Sequence, residues 1–380
     1  MKAIEIFLLN WCKRLLKTST VALLLIALSV SLSGAGWNRT PQPSLLIAAL
    51  AQGNAVTDPT AILRNALPID NKPVRELQEA IEDISNHLRG KRWSPINRDV
   101  RQAASVLNFR SDDLLASVPE ERQPQAEALL EDIKGNISQL QEAVDAQEKD
   151  LVWAERRELL NEIGDLEALM LQDFPFEVPG KYANLPQLKG RATVEIDTTQ
   201  GKLTLVVDGY SAPVNAGNFI DLVERGFYDG LPFNRSEDDF VLQTGKPSGA
   251  DAGFIDPKTG KYRAIPLEVL VKGDEAPIYE ITLEEAGIYL PDLALPFSAY
   301  GAVALGHPDS EPNQGSSQFF FFKFDTELTP PGFNLMDGRY SVFGYLVDGK
   351  EVLEKLTSKD KIISAKVVDG RENLVEPKGS

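Results

Sequence analysis

The chain has 380 residues, 43% of them hydrophobic and 25% charged, with a formal net charge of −17. That is length for two domains plus a targeting segment, with enough apolar content for packed cores rather than disorder. The acidic balance repels phosphate backbones and anionic headgroups, which argues against nucleic acid as a partner. A single cysteine, Cys12, and two histidines, His87 and His307, rule out an intramolecular disulfide and a His-rich zinc site.

The first 51 residues read as an export signal. Lys13, Arg14 and Lys17 form a basic region ahead of an apolar stretch over residues 21–32 that is short for a bilayer span. Ala49-Leu50-Ala51 has the small-x-small form that signal peptidases cut; a permanent membrane anchor is the alternative. Cys12 precedes the apolar stretch, on the wrong side for lipoprotein processing. The segment holds five Lys/Arg against one acid, so the remainder carries −21 and no cysteine.

Residues 56–172 have helical periodicity. Asp58-Pro59 predicts an N-cap followed by proline at the first helical position, and Ser94-Pro95 repeats the pattern. Leu77, Ile81, Ile84 and Leu88 form one apolar stripe, and Ala126, Leu130, Ile133, Ile137, Leu140 and Val144 a longer one. Leu159, Ile163, Leu166 and Leu169 lie within a third helix over residues 148–172. Short polar joints between such helices predict an antiparallel bundle; a coiled-coil dimer seam is the alternative, although the stripes are short for sustained heptads. Residues 173–190 hold three prolines and two glycines, which stop a helix and form a linker.

Over residues 191–375 the period becomes alternating. A hairpin is predicted from residues 192–196 and 203–207, then a helix opened by Pro213 and ended by Gly226. Further strands are predicted near 231–235, 241–243, 302–305, 318–322, 342–346 and 362–368, with a last helix near 351–356. The whole is a multidomain α and β chain, its second part a closed antiparallel β-barrel capped by two helices. Residues 246–300 are more weakly patterned. Thr282-Leu283-Glu284-Glu285 predicts one short helix there, in a segment long enough to carry structure or function of its own.

Three stretches carry the candidate chemistry: Phe233-Asn234-Arg235, Phe240-Val241-Leu242-Gln243-Thr244-Gly245, and Ser316-Ser317-Gln318-Phe319-Phe320-Phe321-Phe322. A barrel gathers from them one arginine, two glutamines and two phenylalanines into a groove suited to an extended peptide with a proline ring. On a period of two, Gln318 and Phe320 share one strand face and Val241 and Gln243 another, while Phe319 and Phe321 fall to the core.

These stretches, with Val214-Asn215-Ala216-Gly217-Asn218-Phe219, Gly226-Phe227-Tyr228-Asp229-Gly230 and Val342-Phe343-Gly344, resemble the cyclophilins, a family of peptidyl-prolyl cis-trans isomerases. The resemblance implies that Arg235 is catalytic and that Gln243 and Gln318 hold the peptide backbone. It also implies that Phe240, Val241 and Phe320 line the proline pocket, with Met336 on its rim and His307 beside the groove. Asn234 and Tyr340 stand where the family has histidines, and Leu335 where eukaryotic members have tryptophan, which implies a narrower groove and weak cyclosporin binding. No metal or cofactor is implied. Rotation about an amide bond has a barrier of roughly 18–20 kcal/mol, and lowering it requires only that the twisted form be bound better than the planar ones. A guanidinium that donates to the recovered nitrogen lone pair meets that need without moving a proton.

An export signal, an acidic helical part, a proline-rich linker and a divergent cyclophilin together resemble the forty-kilodalton thylakoid-lumen cyclophilins of plants and cyanobacteria. That resemblance implies a helical part similar to the photosystem II Q subunit and a role in assembly and repair of photosystem II. Expected partners are proline-containing protein segments, among them photosystem II subunits or a thylakoid phosphatase. The expected location is the thylakoid lumen or periplasm, with membrane contact only through client proteins. The competing expectation is a weakly catalytic or inactive assembly factor with a covered groove.

Overall fold

The structure, a computed structural model, describes residues 56–172, 174–237, 240–247, 253–324 and 334–377. Residues 1–51, expected to be an export signal, and Cys12 among them lie outside the described residues.

The N-terminal part consists of helices α1 (Pro59–Asn65), α2 (Lys72–Leu88), α3 (Trp93–Phe109), α4 (Ser111–Leu115), α5 (Gln123–Asp145) and α6 (Lys149–Met170). Asp58 caps α1 by accepting the Thr60 N–H at 2.9 Å, with Pro59 opening the helix. Ser94 is not a cap. α3 starts at Trp93, two residues before Pro95, and places Ser94 inside the first turn. Leu77, Ile81, Ile84 and Leu88 of α2 are fully buried in one core with Ala103 of α3, Ile133 of α5 and Ile163 of α6. The apolar stripes face one another within the chain, which removes the reason for a dimeric coiled-coil seam.

The C-terminal part is built on strands β1 (Gln187–Leu188), β2 (Arg191–Thr198), β3 (Gly201–Asp208), β4 (Arg235–Glu237), β5 (Val241–Thr244), β6 (Ile255–Asp256) and β7 (Lys261–Tyr262). They are followed by β8 (Glu268–Val269), β9 (Ile278–Tyr279), β10 (Ala302–Leu305), β11 (Phe319–Phe322), β12 (Val342–Asp348), β13 (Ile362–Asp369) and β14 (Leu374–Val375). Eight of them form one antiparallel sheet in the order β13-β2-β3-β12-β10-β11-β5-β4. Helices α7 (Pro213–Glu224) and α8 (Lys350–Lys355) pack against it.

The expected closed barrel is instead a curled sheet with two ends, β13 and β4. Among the described residues its ends meet at an isolated bridge, Pro232 to Lys361, flanked by Phe233 N–H donating to Asp360 O at 3.1 Å and Ile362 N–H to Leu231 O at 2.9 Å. Pro232 has no N–H to continue a ladder, so the strand expected over 231–235 begins only at Arg235.

The alternation in β11 sorts its four phenylalanines. Phe319 and Phe321 pack on one face with Phe343, Leu305 and Phe219 of α7. Phe320 and Phe322 turn to the opposite face with Val241, Tyr345 and Phe297. Ile62, Leu63 and Ala66 at α1 join this second cluster, so the first helix of the N-terminal part covers the sheet face that also carries Phe320. Arg64 of α1 meanwhile donates to Glu82 of α2 from Nε and Nη2, at 3.2 and 3.1 Å.

The short helix expected at Thr282 is a single turn. The capping box is present, with Glu285 N–H donating to Thr282 Oγ1 at 3.2 Å and Thr282 N–H to Glu285 Oε2 at 2.9 Å. Gly287, at φ 76°, ends it. The segment is anchored by Glu268, whose buried carboxylate accepts the N–H groups of Val214 and Asn215 at the start of α7, at 3.1 and 2.9 Å.

Gly245 controls the crossing behind the groove. It has φ 88°, and a Cβ there would lie 2.2 Å from the Ser317 carbonyl oxygen. Gly245→Ala is expected to lower stability in denaturant unfolding by more than about 2 kcal/mol, from left-handed strain plus a backbone clash. An unchanged midpoint would contradict this account of the crossing.

Candidate active site

Register assembles the site. Arg235 on β4 lies opposite Gln243 on β5, and Gln243 opposite Phe320 on β11. Directly opposed residues of antiparallel strands share a face, so these three side chains form a row across the sheet. A cavity of about 200 Å³ opens on this row. Phe240, Val241, Phe320 and Met336 give it apolar walls. Arg235, Gln243, His307 and Tyr340 complete the lining among the expected residues. Gln318 lines an adjoining cavity of about 550 Å³, which shares Gln243, Gly306 and His307 with the first. Gln243 Nε2 donates to Gln318 Oε1 at 2.9 Å, joining the two cavities along one amide pair.

Two expected residues line neither cavity. Asn234 immediately precedes β4 and is exposed; its contribution is a backbone N–H donated to Gln243 O at 2.9 Å. Leu335 is 72% exposed, and its neighbour Met336 lines the groove instead.

The far wall is an aromatic pair. His307 stacks on Tyr340 with ring centroids 4.4 Å apart, and its Nε2 lies 3.0 Å from Arg339 O. Tyr340 O–H donates to Asp309 Oδ1 at 3.2 Å, and burial first, then the Asp309 charge, pushes the phenol above its ordinary value. Tyr340 also meets the edge of Phe320 at 5.4 Å. Behind Phe320 the Phe297 ring lies parallel to it at 6.1 Å, and Phe297 N–H donates to Asp337 Oδ1 at 2.8 Å. Burial lifts Asp337 to about 6. Arg235 lines the groove as expected of a catalytic cation, yet Nε and Nη2 both reach Glu237 Oε1, at 2.8 and 2.6 Å.

Such a site can grip a ring on its apolar wall, hold peptide backbone with two amides and present a permanent positive charge at the ring's edge. Residues 193–372 match the family described as cyclophilin type peptidyl-prolyl cis-trans isomerase/CLD, and residues 58–171 the PsbQ-like domain of CYP38-like peptidyl-prolyl cis-trans isomerases. A Synechocystis protein named as a thylakoid lumen peptidyl-prolyl cis-trans isomerase, sll0408, is 64% identical over 363 residues, 96% of each chain. The chain belongs to the cyclophilin-type peptidyl-prolyl cis-trans isomerases. Arabidopsis thaliana CYP38, chloroplastic, is 41% identical over 342 residues, covering 87% of this cyclophilin and 78% of the relative. Arabidopsis CYP37, chloroplastic, is 33% identical over 342 residues, with 83% and 70% covered.

Among the residues at or beside this cyclophilin's site that the sequence does not mark are Glu237, Gly306, Asp309 and Phe297. Glu237 had a signal, since it is two residues from Arg235 and must share its face on a strand. Asp309 and Gly306 flank His307 and had only that proximity. Phe297 comes from the weakly patterned segment, where no periodicity marked a facing residue.

Proposed function

We propose that this cyclophilin isomerises X-Pro bonds in extended segments of exported client proteins, with Arg235 as the catalytic donor. Gln243 and Gln318 hold the backbone, Phe240, Val241, Phe320 and Met336 seat the ring, and His307 and Tyr340 bound the groove. The observation that carries this reading is the row of Arg235, Gln243 and Phe320 across three strands. The imide nitrogen recovers its lone pair only when twisted, so donation by the guanidinium favours the transition state over both planar forms.

The proposed division is an export signal over 1–51, a helical bundle over 56–172 similar to the photosystem II Q subunit, a linker over 173–190 and the cyclophilin domain over 191–375. The relatives' names, thylakoid lumen and chloroplastic, support work in the thylakoid lumen, with a periplasmic location as the alternative. Photosystem II subunits under assembly or repair are the proposed clients, and a thylakoid phosphatase a further partner.

A second reading, an assembly factor that binds proline segments with little turnover, is favoured by the Arg235–Glu237 pairing and by the narrow cavity beside Tyr340. NMR exchange on an X-Pro peptide with the full chain separates the two. The enzyme reading expects faster cis-trans interconversion. Peptide binding at the uncatalysed exchange rate would leave only the binder.

A further inference from the structure

The strand that carries Arg235 also carries an acid for which isomerisation has no use. Glu237 is two residues on, so β4 turns both side chains to the same face: Arg235 stands opposite Gln243, Glu237 opposite Val241. Nε and Nη2 of Arg235 converge on a single Glu237 oxygen, at 2.8 and 2.6 Å. Two of the guanidinium's five N–H groups, those on the edge formed by Nε and Nη2, are thereby withheld from a lone pair that appears only as the imide twists.

We propose that Glu237 is a competing acceptor for the catalytic arginine, a latch that the twisted imide must open, and that it holds turnover below what the pocket allows. This rests on Arg235 being the catalytic group. The two side chains are 52% and 48% exposed. An ion pair this exposed shifts an equilibrium by only about two- to five-fold. The latch is therefore weak enough for a substrate to open and strong enough to measure. β4 is the end strand of the sheet, so only one neighbouring strand holds the backbone that bears the pair. The bond from Arg235 to the nitrogen exists only in the twisted state, so opening the latch belongs to the barrier. Its cost falls on kcat and leaves KM alone.

The test is NMR exchange on an X-Pro peptide at several concentrations, giving kcat and KM separately, for the full chain and for Glu237→Gln, Arg235→Ala and the double variant. Each is run at low salt and at about 0.5 M, where exposed pairs are screened. Glu237→Gln is expected to raise kcat and kcat/KM together by roughly two- to five-fold, with KM and the thermal midpoint unchanged. Salt should carry the wild type toward the variant and leave the variant where it is, and the gain should vanish in the double variant. Should Arg235→Ala lose activity while Glu237→Gln gains none, or changes KM alone, the latch is wrong and the site reading stands. Should Arg235→Ala keep full activity, the site reading itself fails and the latch with it. Silence in both the wild type and Glu237→Gln also overturns the latch.

Discussion

Arg235→Ala is expected to lower kcat/KM for X-Pro isomerisation by about 10²-fold, with the loss in kcat. Removing one preorganised donor from a developing charge or lone pair typically costs about that much. The fold should not notice. Arg235 is half-exposed, on an end strand, and its pairing with Glu237 is of the kind that contributes roughly 0–1 kcal/mol. Denaturant midpoints of variant and wild type should therefore coincide within error. Arg235→Lys keeps the charge but not the planar fork, so it should recover only a small part of the rate. NMR exchange on a single peptide measures all three proteins; full activity in the alanine variant would remove Arg235 from the mechanism.

Much of the site was legible because strand periodicity is strict. In Phe319-Phe320-Phe321-Phe322 a period of two divides identical residues into core and groove, and the structure divides them the same way. Val241 and Gln243 were paired by the same rule. The helical stripes were legible because Leu77, Ile81, Ile84 and Leu88 recur at helical spacing, and all four are fully buried. What the chain concealed was contact between distant segments without a period of their own. Phe297 lies in an irregular stretch and reaches Phe320 only through the fold. Ile62 and Leu63 read as one more helix of the N-terminal part, yet they cover the sheet. The two ends of the sheet meet at Pro232 in a bridge rather than a ladder, since proline has no N–H to extend it. Leu335 and Asn234 line neither cavity, because correspondence to a family position says nothing about orientation when the neighbours differ.

The union of α1 with the helices behind it makes a second large effect testable. Glu167 of α6 is fully buried; its Oε1 accepts from Arg75 Nη1 at 3.0 Å, and Oε2 has no hydrogen-bond partner among the described residues. Arg75 in turn donates to the carbonyls of Arg64 and Leu67, at 2.9 and 2.8 Å, holding the end of α1 against α2. Burial outweighs the attraction of Arg75, Arg64 and Arg191 and lifts the Glu167 carboxyl to about 7 from an ordinary value of 4.5. A carboxyl raised on folding binds its proton more tightly in the native state. Its contribution is therefore fully present below about 4.5 and is lost as pH rises through about 7. The gap corresponds to a cost on the order of 3 kcal/mol for keeping the charged form buried at alkaline pH. Glu167→Gln keeps the size and an acceptor for Arg75 and cannot ionise. Relative to wild type, the variant is expected to gain on the order of 3 kcal/mol of stability between pH 4 and pH 8. Urea unfolding followed by helical circular dichroism at several pH values gives that double difference, in which the other carboxylates cancel. Parallel curves for the two proteins would mean that Glu167 titrates alike in the folded and unfolded chains, and that the tie from α6 through Arg75 to α1 carries no protonation linkage.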